Sequence, residues 1–251
     1  MKRIVQPELL DTLPPDDPRA VRSRRDLCRV NGWMRNHAIL ARALKKNWNS
    51  SAASRIVELG AGDGNFLLSV AQRLGSLGVP SRTSRDGPGR LKPELQTENM
   101  NATLLDLQKN VSAETPAAFA NLGWRAEAVV ADVFDWLKTS GPDPAPGGII
   151  ANLFLHHFED ARLAELLRLI SQRTKLFIAV EPRRAPWPLF CSRRLWAIGC
   201  NDITRHDAVI SVRAGFSGHE LSALWPDKQN WRLTELRAGA FSHLFIARKI
   251  T

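Results

Sequence analysis

The chain has 251 residues, of which 44% are hydrophobic and 24% charged, a composition typical of a globular protein and not of a disordered or fibrous one. Its 35 basic and 25 acidic residues give a net charge of +10, which favours an anionic partner such as nucleic acid, a membrane surface or an acidic small molecule. No apolar run approaches the ~20 residues of a membrane-spanning helix, and the N-terminus lacks the apolar core of a secretory signal, so we expect a cytoplasmic protein.

The first fifty residues are predicted to form an arm and a helix that precede the main domain. Prolines at positions 14, 15 and 18 favour an extended arm, because proline blocks helix continuation. Between residues 21 and 47, apolar residues recur every three or four positions, which predicts an amphipathic helix. We therefore divide the chain into residues 1–50, the arm and lid helix, and residues 51–251, the main domain.

Short apolar runs then alternate with amphipathic segments as far as residue 180. The predicted strands are 55–59, 102–107, 125–131, 148–155 and 175–180, and the predicted helices are 64–74, 114–122 and 159–172. This alternation predicts an α/β fold in which helices cover both faces of a parallel sheet. Two final runs, 231–236 and 241–247, are predicted to pair as antiparallel strands around Gly239.

Two stretches do not fit the alternation. Residues 78–101 are polar, basic and rich in glycine and proline, and we interpret them as a disordered insertion, since so long a loop is unusual inside a compact domain. Residues 182–215 contain six arginines and the tryptophans Trp187 and Trp196. We interpret this second stretch as a cap or substrate-binding region, in which the two tryptophans either pack in the core of the cap or clamp an aromatic ligand.

A glycine-rich turn between the first strand and the next helix is the strongest local signal. Residues 58–64 read E-L-G-A-G-D-G. Alternate glycines allow a sharp backbone turn and the close approach of a ligand. The spacing differs from the G-x-G-x-x-G of dinucleotide-binding loops and from the P-loop, so neither of those sites is predicted.

Polar residues follow the next three strands, at the edge of the sheet where α/β proteins bind ligands. Asp106 ends the second strand, where a carboxylate can accept from both hydroxyls of a ribose. Asp132 ends the third strand and can accept from an adenine amino group, while Val133 packs on the ring. The fourth strand ends in the segment from Asn152 to Phe158, which contains two adjacent histidines.

In this order, the four signals resemble those of the class I S-adenosylmethionine-dependent methyltransferases, from about residue 55 to the C-terminus. The resemblance implies a Rossmann-like sheet of seven mostly parallel strands, a C-terminal antiparallel hairpin, an N-terminal helical lid and a small cap insert. It implies S-adenosylmethionine as the cofactor, with the glycine turn around its methionine part. The implied cofactor-binding residues are Glu58, Gly60, Ala61, Gly62, Gly64, Asp106, Leu107, Asp132, Val133 and Asn152.

Two N-terminal segments are similar to narrower groups within that family. Residues 31–34 read N-G-W-M, which is similar to the N-terminal helix of ubiquinone and menaquinone pathway methyltransferases. Residues 18–27 are similar to bacterial methyltransferases associated with polyketide and phenolic-lipid synthesis. Both likenesses imply a phenol or a hydroquinone-like compound as the methyl acceptor, and hence a role in secondary metabolism.

Three histidines are candidate bases for such an acceptor. A phenol has a pKa near 10, so that a nearby base assists its reaction at neutral pH. His156 and His157 lie just past the fourth strand, and His206 lies in the cap region beside Asp207. Each also has a purely structural interpretation: either of the first two as a residue that packs at the start of a helix, and His206 as a surface residue.

We expect an enzyme that transfers a methyl group to oxygen of a small aromatic, with C-methylation of a quinone precursor or methylation of RNA as alternatives. Amino-directed nucleic-acid methylation favours an Asn/Asp-Pro-Pro-aromatic turn after the fourth strand, but Asn152 is followed by Leu153 and Phe154. A binding protein without turnover would have a degraded cofactor site, which the motifs do not indicate. The three cysteines are widely spaced and match neither a disulfide framework nor a zinc site, so no metal is predicted.

Overall fold

The computed structural model describes residues 1–14, 16–48, 55–76, 100–139 and 146–250. The α-helices are α1 (Leu9–Thr12), α2 (Pro18–Met34), α3 (Asn36–Asn47), α4 (Asn65–Ser76), α5 (Glu114–Ala120), α6 (Val133–Lys138), α7 (Asp160–Arg173), α8 (Pro186–Ser192), α9 (Asp202–Ala214) and α10 (Glu220–Leu224). The strands are β1 (Arg55–Leu59), β2 (Asn101–Asp106), β3 (Arg125–Val130), β4 (Gly148–Asn152), β5 (Leu176–Pro182), β6 (Trp231–Ala238) and β7 (Ser242–Lys249). Short 3₁₀ turns occupy Leu155–His157, Leu195–Ile198 and Lys228–Asn230.

The seven strands form one sheet in the order β3-β2-β1-β4-β5-β7-β6. The first five of these strands are parallel, and β7 lies antiparallel between β5 and β6. This confirms the predicted α/β, Rossmann-like fold with a C-terminal antiparallel hairpin. The strand order reverses direction at β1, and the carboxyl ends of β1, β2 and β4 therefore open a crevice at one edge of the sheet.

Two apolar cores lie on the two faces of the sheet. Successive residues of a strand point to opposite faces, so that Ile56 packs in one core and Val57 in the other. The first core contains apolar side chains of α3 and α4, such as Leu40 and Leu67, and the second those of α6 and α7, such as Leu163. Because β1, β4 and β5 are buried on both faces, they read as near-continuous apolar runs.

The structure corrects two of the predicted elements and adds a helix that was not predicted. The single helix expected over 21–47 is two helices, because Arg35 adopts a left-handed conformation (φ 57°) that ends α2 and starts α3. Strand β4 ends at Asn152, three residues early, because the positive φ of Leu153 (52°) turns the chain into a 3₁₀ turn. Helix α6 was not predicted, since six residues are too few to show a helical period.

The structure describes all of the second irregular stretch, residues 182–215, but little of the first. Most of the insertion predicted over 78–101 lies outside the described residues, but Met100 is buried and Asn101 begins β2. Residues 182–215 form α8, a 3₁₀ turn and α9 beside the carboxyl ends of the strands. Within the described ranges, no helix combines the length and the apolar character that crossing a membrane requires.

Candidate active site

The glycine turn after β1 is held in a conformation that only glycine adopts without strain. Gly60, Gly62 and Gly64 all have left-handed φ angles, of 67°, 56° and 77°. A Cβ atom on Gly60 would lie 2.3 Å from Cδ2 of Phe154, and one on Gly64 would lie 2.8 Å from Cδ1 of Leu104. A Cβ on Gly62 would meet no atom of the described residues within 4 Å apart from its chain neighbours, so the backbone there borders open space. Two glycines thus allow close packing, and the third leaves room for a ligand.

Asp106 locks this turn to the end of β2. One oxygen of its carboxylate, Oδ2, accepts from the backbone N–H of Gly62 at 2.8 Å, and Oδ1 accepts from that of Gln108 at 2.8 Å. A carboxylate oxygen has a second lone-pair direction, so these bonds leave Asp106 able to accept from a ligand hydroxyl. Leu107, the next residue, is 69% exposed and lines the same cavity.

Glu58 is a buried carboxyl group whose Oε2 has no hydrogen-bond partner among the described residues. Burial raises its pKa well above the ordinary value of 4.5, and the nearby charges of Asp63 and Asp106 act in the same direction. An unpaired buried carboxyl is costly, and a positively charged group placed beside it would relieve that cost. Glu58 lines the cavity, so such a group can reach it.

The ends of β3 and β4 supply the remaining predicted residues. Asp132 caps α6 by accepting from the backbone N–H groups of Phe134 and Asp135 through Oδ1, and these bonds do not use Oδ2. Val133 lies beside it at the cavity wall. The side chain of Asn36 donates to Oδ1 of Asn152 at 2.9 Å, which leaves the amide nitrogen of Asn152 as a donor toward the cavity that it lines.

These residues surround one cavity of about 810 Å³ at the carboxyl ends of the parallel strands. Nine of the ten predicted cofactor residues line it; the exception is Gly64, which packs under the turn against Leu104 and Thr115. We call the part lined by the glycine turn and the carboxylates after β2 and β3 its first end, and the part lined by α2, α8, α9 and the histidines after β4 its second end. The predicted lid helix and cap region therefore both contribute to its wall.

His156 lies at this second end between two carboxylates. Its Nδ1 is 2.9 Å from Oε2 of Glu181, at the end of β5, and its Nε2 is 3.3 Å from Oε1 of Glu8. Burial disfavours the charged imidazolium, but the hydrogen bonds and charges of Glu181 and Glu8 outweigh it and raise the pKa of His156 from 6.5 to about 9. Burial opposes ionisation of Glu8, yet the hydrogen bond and charge of His156 dominate and lower its pKa to about 2. His156 is thus a buried cation at neutral pH and a poor base in this arrangement.

His157 has a more open position in the same wall. Its ring stacks obliquely on that of His156, with centroids 4.3 Å apart, and 28% of its side chain is exposed. Nδ1 of His157 lies 3.4 Å from Oδ2 of Asp11, which leaves Nε2 for another partner. A histidine held by a carboxylate through one nitrogen, with the other nitrogen at a cavity, is the arrangement of a general base.

The structure does not bring His206 to this cavity. Its side chain is 49% exposed on α9 and its Nδ1 lies 3.0 Å from Oδ1 of the adjacent Asp207, while the cavity wall on α9 consists of Ala208, Ser211 and Val212. Helical geometry explains this difference, because positions 208, 211 and 212 share a face that position 206 does not. The expectation that His206 acts at the site therefore has no support in the geometry.

Residues 1–13, the N-terminal strap, bring two acids to the site that sequence reasoning missed. Arg3 holds the strap by donating to the carbonyl oxygens of Phe158 and Ala214, each at 2.8 Å. Both oxygens of Asp207 accept from the first backbone N–H groups of α1 at 2.9 Å. Glu8 and Asp11 thereby reach the two histidines, although no local pattern in the arm marks them as site residues.

The same group of side chains has the composition of a metal site. One ligand atom each from Glu8, His156 and His157 lie within 4.8 Å of one another. Both ring nitrogens of His156 lie within hydrogen-bond distance of carboxylates, so a metal ion bound at Nε2 would replace the hydrogen bond between His156 and Glu8.

Comparison with solved structures places the fold among methyltransferases. The chain is similar to an O-methyltransferase family protein from Burkholderia thailandensis (TM-score 0.55, 15% identity, covering 93% of this chain and 60% of that one). It is also similar to the mitomycin 7-O-methyltransferase MmcR (TM-score 0.56, 19% identity, 95% and 60%). The plantazolicin methyltransferase BpumL, solved in complex with SAH, matches with a TM-score of 0.56 and 12% identity over 94% of this chain and 92% of that one.

The chain therefore has the fold that these methyltransferases share, which confirms the predicted likeness at the level of the fold. It spans 60% of the length of the first two structures. No protein-family model matches the sequence, and no curated protein sequence does.

Proposed function

We propose that the chain is an S-adenosylmethionine-dependent methyltransferase that methylates an oxygen atom of a small aromatic compound. The observation that carries this proposal is one cavity with two different ends. The first end combines the glycine turn with the carboxylates after β2 and β3, and the second places two histidines at the wall of the same cavity. Such a cavity can hold a nucleoside and a phenolic acceptor next to each other.

The residues of the first end fit S-adenosylmethionine. Oε2 of the buried Glu58 has no hydrogen-bond partner among the described residues and suits the ammonium group of the methionine part. The open space at Gly62 admits the rest of the methionine part of the cofactor. Asp106 offers acceptor positions to the ribose hydroxyls, and Oδ2 of Asp132 offers one to the adenine amino group. The cofactor would supply a methyl group on a positively charged sulfur. BpumL, which shares the fold, was solved with SAH.

At the second end, the chain's own residues would bind the acceptor and manage its proton. We assign His157 as the base, because Asp11 holds its Nδ1 and its Nε2 remains for the acceptor hydroxyl. The imidazolium of His156 would stabilise the phenolate that forms, since it carries a fixed positive charge in a buried position. Walls from α2, α8 and α9 would exclude water and hold the acceptor oxygen in line with the methyl group.

The direct test of this proposal is methyl transfer from labelled S-adenosylmethionine. We would incubate the protein with a panel of phenols, resorcinols and quinols, and separately with total RNA, each with and without a metal chelator. The proposal predicts label on oxygen of a small aromatic, unaffected by the chelator. Label on ring carbon would support the alternative of C-methylation, label only in RNA would overturn the proposal, and loss of transfer with the chelator would reassign the two histidines to a metal ion.

Replacement of His157 by alanine is expected to lower kcat by at least ~100-fold with little change in KM, because a general base contributes mainly to the chemical step. His206→Ala is the matched control, since His206 also pairs with an aspartate but lies outside the cavity, and it should retain turnover. Steady-state kinetics would measure kcat and KM for both variants. Equal turnover of the two variants would remove His157 from the mechanism.

A further inference from the structure

The rim of the cavity carries an unusual share of the exposed aromatic surface. Three of the eight tryptophans are exposed: Trp33 at 64%, Trp187 at 55% and Trp196 at 62%. Trp33 lines the cavity at the end of α2, and Trp196 lies in the 3₁₀ turn between the cavity-lining residues 195 and 198. Large aromatic side chains are usually covered by protein, so three exposed ones on segments that line one cavity require an explanation.

The aromatic residues at this rim are organised and not scattered. Trp187 stacks on Phe190 with centroids 5.5 Å apart, and the guanidinium of Arg194 lies 3.5 Å from the centroid of the same phenyl ring. Arg22 of α2 donates to the carbonyl oxygen of Gly199 at 3.3 Å, which ties α2 to the end of the 3₁₀ turn. The segments 18–34 and 186–199 therefore form one continuous surface, which we call the rim.

The rim is also strongly basic. Residues 18–34 and 186–199 contain seven arginines and one acid, Asp26, and that aspartate is buried and bound to Arg29. The acids that flank these segments in sequence include Asp17, which is only 19% exposed and pairs with Arg19, and the exposed Asp202. A surface that combines exposed tryptophan with arginine suits the boundary between water and an anionic bilayer, where the indole ring lies at headgroup level and the guanidinium binds lipid phosphate.

We propose that the rim docks the protein on an anionic lipid bilayer, with the mouth of the cavity facing the membrane. Nucleic acid would also attract the arginines, but it does not account for exposed tryptophans on the segments that wall an apolar cavity, whereas a bilayer accounts for both. The proposal goes beyond methyl transfer and does not depend on it, because vesicle binding is measured without cofactor or acceptor.

The test is co-sedimentation of the whole chain with vesicles. We expect binding to vesicles of phosphatidylglycerol mixed with equal phosphatidylcholine, little binding to phosphatidylcholine alone, and weakening as salt is raised. Trp187→Ala with Trp196→Ala should lower the partition coefficient by about tenfold or more. Leu236→Ala is the apolar control, because Leu236 is 44% exposed on β6, outside the two segments of the rim, and it should bind like the unmodified protein.

Two double variants with the same change in net charge show whether vesicle binding depends on the arginines of the rim or on the net charge of the protein. Arg25→Glu with Arg193→Glu changes two exposed arginines of the rim, and Arg232→Glu with Arg248→Glu makes the same change at exposed positions of the β6–β7 hairpin. The proposal predicts that only the first pair weakens vesicle binding by tenfold or more. Thermal melting of each variant without vesicles checks that it remains folded.

Three results would overturn the proposal. The first is no difference between the two charge pairs, and the second is binding of RNA in place of vesicles. The third is a dimer of the unmodified protein that ignores vesicles and dissociates when Trp187 and Trp196 are replaced, which would make the rim a subunit interface.

Discussion

Replacement of His156 by alanine is expected to destabilise the fold by about 3 kcal/mol and to abolish methyl transfer. The imidazolium lies between Glu181, which is fully buried, and Glu8 of the N-terminal strap. Removing one member of a buried group of charges leaves the other charges buried without compensation, which strongly destabilises a fold. The strap also loses the contact of Glu8 with His156, although Ser211 still donates to Oε1 of Glu8. Urea denaturation and turnover under folding conditions would measure the two effects.

His243→Ala is the matched control for this prediction. His243 is likewise buried, and its Nε2 lies 2.8 Å from Oε1 of Glu235, but it does not line the cavity. We expect a similar loss of stability and retained turnover for this variant. If His243→Ala lost activity as fully as His156→Ala, the effect of His156 on activity would be a consequence of destabilisation and not of its place in the site.

His156 is expected to make the free energy of unfolding depend on pH. The pKa of His156 rises from 6.5 in the unfolded chain to about 9 in the fold, so its contribution is complete below pH 6.5 and is lost as the pH rises toward 9. The difference in the free energy of unfolding between the unmodified protein and His156→Gln should therefore shrink over this interval. A difference that stays constant from pH 6.5 to 9 would show that His156 is not held as a cation.

Gly62→Ala is expected to lower affinity for S-adenosylmethionine by at least ~100-fold while costing only about 1 kcal/mol of stability. The stability cost comes from the left-handed φ of 56°, which alanine adopts with strain. Among the described residues, no atom beyond the two chain neighbours lies within 4 Å of the new Cβ, so the methyl group projects into space that we assign to the cofactor. The added methyl group is therefore expected to lower cofactor affinity much more than it lowers the stability of the fold.

Gly239→Ala provides the control with the same backbone strain. Gly239 turns the β6–β7 hairpin at φ 71°, and its added Cβ would also meet nothing within 4 Å. Both variants should lose similar stability by thermal or chemical denaturation, and only Gly62→Ala should lose affinity by calorimetry. Wild-type affinity in Gly62→Ala would place the cofactor elsewhere.

The sheet and the first end of the cavity were predictable because their signals are local. Runs of buried strand residues, a glycine turn and a polar residue at each strand end all read directly from short stretches of sequence. The parallel order then brings those strand ends together, which explains why Glu58, Asp106 and Asp132 meet although the last two lie far along the chain.

The second end of the cavity was only partly predictable. His156 and His157 follow β4 directly, but their partners are set by tertiary packing: Glu8 and Asp11 arrive through the strap, and Glu181 through β5. A weak signal for Glu181 existed, since it ends a buried strand at the ligand edge. None existed for the break at Arg35, because arginine has no preference for the left-handed conformation that it adopts there.

Calorimetric titration of the purified protein tests whether the carboxyl edge of this sheet binds S-adenosylmethionine. We would titrate S-adenosylmethionine, S-adenosylhomocysteine, NAD and ATP in parallel. We predict one site that binds the first two compounds at micromolar concentrations and neither of the others. Tighter binding of NAD or ATP, or no binding of S-adenosylhomocysteine at millimolar concentration, would contradict it.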